Sequence, residues 1–153
     1  MKSVIEIEIN AAQDRVVALF ANPEHATKWM DDVDRFEPIS GEPGTPGSKY
    51  RLVPKKGSMV FVATVLPRRQ PNELRLELDT SSVTVSVTGI FAALSPSRTR
   101  LVSEEVFRFK SLFNRIFGFL ATKAIQRAHR RHMDAFKRFA EEHARRQTPL
   151  THG

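Results

Sequence analysis

Apolar and polar residues alternate over most of the first 110 positions of this chain, and beyond them the apolar residues recur at helical spacing. From Val4 to Ile9, Ile5, Ile7 and Ile9 share one face while Glu6 and Glu8 take the other, as in a strand with one wet side. Asn10, followed three residues later by Gln13, predicts a capping box ahead of a helix with Val16, Val17, Leu19 and Phe20 on its apolar face. Asn22-Pro23 predicts a second cap and a short helix through His25 to Trp29. Strands follow over Val33 to Ser40, Lys49 to Pro54, Met59 to Leu66, Glu73 to Asp79, Val83 to Leu94 and Arg98 to Phe109. Their short, turn-rich connections predict an antiparallel meander of seven strands.

The segment from Ser111 to Arg146 has no proline, and Phe113, Phe117, Leu120, Ala124, Ala128, Ala135 and Phe139 recur along it as one face of a long helix. At about 1.5 Å per residue that helix would be roughly 50 Å long. Its apolar stripe needs cover, and the sheet is the natural partner. The expected class is α+β: one seven-stranded antiparallel sheet on a long C-terminal helix, with two short helices after the first strand. Gly118 weakens the long helix by about 1 kcal/mol relative to Ala and predicts a kink there.

Composition narrows this further. A chain of 153 residues fits one domain, expected over 1–146, with a disordered tail at 147–153. The lack of cysteine excludes disulfides, thiolate chemistry and cysteine-ligated metal sites. No long apolar run opens the chain, so neither a signal peptide nor a transmembrane helix is expected, and a cytoplasmic location is the default. The net charge is +7, and residues 112–146, with nine Lys and Arg against three acids, supply +6 of it.

Two local patterns suggest chemistry and then fail their own tests. Gly41, Gly44 and Gly47 are spaced G-x-x-G-x-x-G, but the lysine and hydroxyl that end a P-loop are missing, and turn geometry explains the glycines. His129 and His132 form an i,i+3 pair, yet no third ligand is evident; an exposed His129 beside a partly packed His132 is expected. The sequence therefore predicts neither a metal nor a cofactor.

The order strand, two short helices, six strands and long helix resembles the START-like superfamily, also called SRPBCC or helix-grip. The stretches I-E-I-E-I-N-A-A-Q-D-R-V, N-P-E-H-A-T-K-W, G-E-P-G-T-P-G-S-K-Y and V-L-P-R-R-Q-P-N-E-L resemble its polyketide cyclase/dehydrase-like branch, and the likeness spans residues 3–143. The resemblance implies a curved sheet wrapped around the long helix and a cavity for an apolar or amphipathic molecule. It does not imply a reaction.

Residues expected between sheet and helix are Trp29, Phe36, Tyr50, Met59, Phe61, Phe91, Phe107, Phe109, Phe117 and Leu120, either as cavity wall or as solid core. Trp29 and Tyr50 stand out because each carries a polar group that a buried site must satisfy. Alternation along the last strand turns Ser103 and Glu105 inward with Leu101, Phe107 and Phe109. A buried Glu105 would have a raised pKa and suit a general acid, or it would form an ion pair with an Arg or Lys of the helix.

The basic residues Arg127, Arg130, Arg131, Lys137, Arg138, Arg145 and Arg146 read as a solvated face, because Asp134, Glu141 and Glu142 lie four residues from several of them. Nucleic acid is not expected as a partner, since exposed stacking aromatics and a reading helix are both missing. A weak contact with an acidic membrane fits better, through the apolar run Leu112 to Leu120 and the cations behind it. Three functions follow: carriage of an apolar or amphipathic small molecule (lipid, polyketide or aromatic metabolite), a cyclase/dehydratase-type enzyme using Glu105 in the same pocket, or a membrane-docking lipid chaperone.

Overall fold

The computed structural model describes residues 1–147. Strand β1 (Lys2–Ile9) leads to α1 (Gln13–Ala21), a 3-10 turn (Pro23–His25) and α2 (Ala26–Trp29). Then come β2 (Val33–Ser40), β3 (Lys49–Pro54), β4 (Phe61–Leu66), β5 (Glu73–Asp79), β6 (Val83–Ser95) and β7 (Arg98–Phe109), followed by α3 (Leu112–Leu120) and α4 (Thr122–Gln147). The expected disordered tail begins inside α4 at Gln147, and the rest of it, 148–153, lies outside the described residues.

The seven strands form one curved antiparallel sheet in the order β1-β7-β6-β5-β4-β3-β2. The helices after β1 carry the chain across to the opposite edge, from which the meander returns strand by strand to β7. Alternation fixes the register: Ile7 lies opposite Leu101 and Ile9 opposite Thr99, with all four buried. The outward residues of the same strands pair as ions, Glu6 with Arg100 at 3.0 Å and Glu8 with Arg98. Such exposed pairs are worth up to about 1 kcal/mol each, so burial of the other face decides the pairing.

The capping box predicted at Asn10 and Gln13 does not form, because tertiary contacts claim both residues. The backbone N–H of Asn10 donates to Glu141 Oε1 on α4 at 3.1 Å, and Gln13 Nε2 donates to the Phe91 carbonyl at 2.7 Å. The second cap is present: Asn22 Oδ1 accepts from the N–H of Glu24 at 3.0 Å, opening the 3-10 turn ahead of α2.

The segment predicted as one long helix is two. Ser111 Oγ caps α3 by accepting from the N–H of Asn114, and Ala121 breaks the path at φ −90° and ψ 1°. Thr122 Oγ1 donates to the carbonyls of Phe119 (2.9 Å) and Gly118 (3.2 Å), which stabilises the junction. The break thus falls three residues after Gly118. Gly118 itself is needed for close approach, since a Cβ there would lie 2.1 Å from the Phe109 ring.

Helix α4 buries His129, Met133, Phe136 and Ala140, spaced four, three and four apart. Met133, Phe136 and Ala140 meet Ile7, Ile9, Val16, Leu19, Trp29, Phe91 and Leu101 in the main core, with Ala135 and Phe139 packed at its margin. Phe113, Phe117 and Leu120, expected on the buried stripe, are instead 63–76% exposed. The break at Ala121 lets α3 turn its Asn114 and Gly118 side onto the sheet, and that rotation puts the aromatic side outward. No helix among the described residues is long and apolar enough to cross a membrane.

Candidate functional site

The curved sheet and the helices leave a cavity of about 160 Å³ between them. Alternation on five strands supplies one wall: Phe36 of β2, Tyr50 and Leu52 of β3, Leu74, Leu76 and Leu78 of β5, Val87 of β6, and Ser103 and Glu105 of β7. Phe20 of α1, Trp29 of α2, Met30, and His132 and Met133 of α4 face them. An apolar cavity of about 150 Å³ accepts a benzene-sized molecule, so this one has room for a single ring or a short alkyl segment.

Its polar groups are few and incompletely paired. Trp29 is 8% exposed, and its indole Nε1 is buried with no hydrogen-bond acceptor. Tyr50 stacks on Phe36 with ring centroids 5.0 Å apart, and its hydroxyl accepts from the N–H of Gly44 at 2.7 Å. Gly44 belongs to the glycine-rich loop and has φ +83°, so turn geometry brings its N–H to the hydroxyl. A phenol that accepts this bond still has its own proton to donate.

Glu105 is the acidic group of the wall, which Arg68 and Arg75 also reach. It is 20% exposed, and burial, helped by the nearby Asp32 carboxylate, pushes its pKa up to about 7. The ion pair with an Arg or Lys of the helix does not form; the α4 partner is His129, whose Nε2 lies 3.5 Å from Glu105 Oε1. Burial, with a smaller contribution from His132, lowers the His129 pKa to about 4, so that ring is neutral. His129 Nδ1 lies 2.8 Å from Ser3 Oγ and Nε2 lies 2.9 Å from Ser103 Oγ, a buried chain that ties α4 to β1 and β7. His129 was expected to be exposed; the register of α4, with Met133 four residues on and Phe136 seven, puts it on the buried face.

His132 hydrogen-bonds Asp32 through Nε2 at 2.8 Å, so the two histidines face different partners and do not form a joint site. Asp31, Asp32 and His132 offer ligand atoms within 4.8 Å of one another. The Arg131 guanidinium, 3.3 Å from Asp31 and 3.6 Å from Asp32, already supplies positive charge at that corner.

Of the residues singled out by sequence, Trp29, Phe36, Tyr50 and Glu105 come together at the cavity. Phe91 is fully buried in the core against Phe20 instead. Phe107 and Phe109 stack on each other at 6.3 Å, and Phe109 lies beneath Gly118, beyond the cavity end of β7. Phe61 is not on the lining, and Met59 is exposed in the connection before β4. Phe117 and Leu120 are on α3, which contributes no lining residue. Sequence reasoning missed Phe20, Met30, Val87, His132 and Met133. His132 and Met133, on α4, could have been found had Phe136 rather than Phe139 been taken as the centre of the α4 stripe.

With this geometry in hand, comparison with known proteins places the chain. No curated protein matches its sequence. Among solved structures, the Zhui aromatase/cyclase from Streptomyces sp. R1128 superposes with a TM-score of 0.73 at 15% identity, covering 100% of this chain and 98% of that one. A START superfamily protein from Mycobacterium smegmatis gives 0.72 at 14% identity, with coverages of 96% and 99%. Norcoclaurine synthase from Thalictrum flavum, in complex with dopamine and hydroxybenzaldehyde, gives 0.66 at 17% identity, with coverages of 94% and 88%. At these identities the likeness shows the fold alone. The family model described as "Polyketide cyclase / dehydrase and lipid transport" matches residues 1–141, and the chain belongs to that family.

Proposed function

We propose that this protein binds an amphipathic small molecule, placing a single ring or short apolar segment in the cavity and a hydroxyl or carbonyl among Trp29, Tyr50 and Glu105. The observation that carries this reading is the buried, unpaired indole N–H of Trp29 in the wall of an otherwise largely apolar cavity. A buried donor without an acceptor costs about 1–3 kcal/mol, which a ligand oxygen would recover on binding. Carriage needs no more than this.

A second reading, a cyclase or dehydratase, is favoured by one further feature. Glu105, with its pKa near 7, is divided between acid and base at neutral pH, as proton transfer to and from a bound substrate requires. Dehydration would have Glu105 give its proton to a leaving hydroxyl and its carboxylate take the proton from the neighbouring carbon, so that water leaves, a double bond forms and Glu105 ends protonated as it began.

Trp29 is the chain's only tryptophan, so its fluorescence reports occupancy directly. Titration with single-ring phenols should give a saturable, one-to-one change, and Val87→Phe, which fills the cavity, should abolish it in a folded protein. A response that never saturates, or that survives Val87→Phe, sinks the binding reading. Glu105→Gln separates the two functions: binding kept and a mass loss of one water abolished is the enzyme's signature. If no phenol or polyketide-like substrate loses water with the parent protein, carriage is left.

A further inference from the structure

We propose that α3 is a membrane-docking helix that inserts its aromatic face into an anionic phospholipid surface. This surface is separate from the cavity, which α3 does not line. Leu112, Phe113, Ile116, Phe117, Phe119 and Leu120 are each 55–78% exposed. At about 100° per residue they fall on one continuous arc of roughly 160°, so the helix presents a single apolar face. The opposite side holds the helix to the protein: Gly118 seats on the Phe109 ring and Asn114 Nδ2 donates to the Ser82 carbonyl at 3.4 Å. The amphipathic polarity is therefore inverted relative to a helix that packs on its own core. An exposed apolar patch of this kind marks an interaction surface.

Charge indicates what covers it. From Val106 to Met133 the chain carries seven Lys and Arg and no Asp or Glu. Arg115, Lys123 and Arg127, on and just after α3, are exposed and meet no carboxylate among the described residues. Unpaired cations beside an aromatic face complement acidic headgroups over acyl chains. A second copy of the chain fits less well. Nine residues make a helix about 14 Å long, too short to approach the roughly 800 Å² per partner of a stable protein interface, and its cations would meet like charge.

The test is flotation of the full chain with vesicles of phosphatidylglycerol and phosphatidylcholine mixed, or of phosphatidylcholine alone, at low and physiological salt. Binding to the mixed vesicles and little to the neutral ones is expected. Arg115→Gln with Lys123→Gln should weaken it about five-fold per charge. Phe117→Ser with Phe119→Ser should abolish it at unchanged thermal stability, since both side chains are exposed. The same aromatic variant should leave the Trp29 titration unchanged, so failure here is distinguishable from failure of the cavity reading. Equal binding to both vesicle types, no binding to either, or a dimer by sedimentation that the aromatic variant dissociates would overturn the proposal.

Discussion

Glu105 Oε1 and His129 Nε2 lie 3.5 Å apart, and burial displaces their pKa values in opposite directions, Glu105 up to about 7 and His129 down to about 4. Neither is charged where it usually would be between pH 4.5 and 6.5, so the pair spans the seam between α4 and β7 without a buried charge. Each displacement corresponds to about 3 kcal/mol.

The two contributions to stability run against each other with pH. The folded state holds the Glu105 proton more tightly than the unfolded chain does, so stability falls as pH rises from 4.5 towards 7. It resists protonation of His129, so stability falls as pH drops from 6.5 towards 4. Over the shared window the slopes offset, and the parent protein should be nearly flat. Glu105→Gln should expose the histidine alone, with stability rising by about 2–3 kcal/mol from pH 4.5 to 6.5. His129→Gln should give the opposite slope. Urea unfolding at a series of pH values measures both, and a Glu105→Gln curve parallel to the parent's would refute the pairing.

Much of this arrangement was legible in the residues. A period of two is strict on β1, β5 and β7, so the inward set Ile7, Leu74, Leu76, Ser103 and Glu105 could be read directly. The helical segment was less determinate, because Ser111 to Arg146 contains two overlapping apolar faces. One runs through Phe113, Phe117 and Leu120, the other through Met133, Phe136 and Ala140, and a period of 3.6 alone does not say that they belong to separate helices. The break at Ala121 depends on Thr122 bonding back to two carbonyls and on the fit of Gly118 over Phe109. Both are tertiary or local polar contacts that hydrophobic periodicity does not carry. The cavity was likewise invisible as a volume, since Phe91 and Trp29 are equally plausible fillers until the depth of each strand position is known.

The division of that segment predicts unequal costs for two similar truncations. Phe136 is fully buried, with ring centroids 5.1 Å from both Phe20 and Trp29, so Phe136→Ala should cost about 3–5 kcal/mol. Phe117 is 63% exposed, and Phe117→Ala should stay within about 0.5 kcal/mol of the parent. Chemical denaturation of the two variants decides the matter. Comparable losses would mean that the aromatic face of α3 is buried after all.

The seat of α3 makes a prediction of its own. By helix propensity alone, Gly118→Ala would stabilise α3 by about 1 kcal/mol. The added Cβ, however, would come within 2.1–2.7 Å of three atoms at the tip of the Phe109 ring, and that ring stacks against Phe107. Displacing it should cost about 1–3 kcal/mol, so the substitution is expected to destabilise despite the better helix former. Phe109→Ala removes the obstacle, and in that background Gly118→Ala should become neutral or stabilising. Thermal melts of the parent, the two single variants and the double variant form a closed cycle whose coupling term isolates the contact. Additive effects would show that α3 does not rest on Phe109, and that its outward aromatic face is not held in place by the sheet.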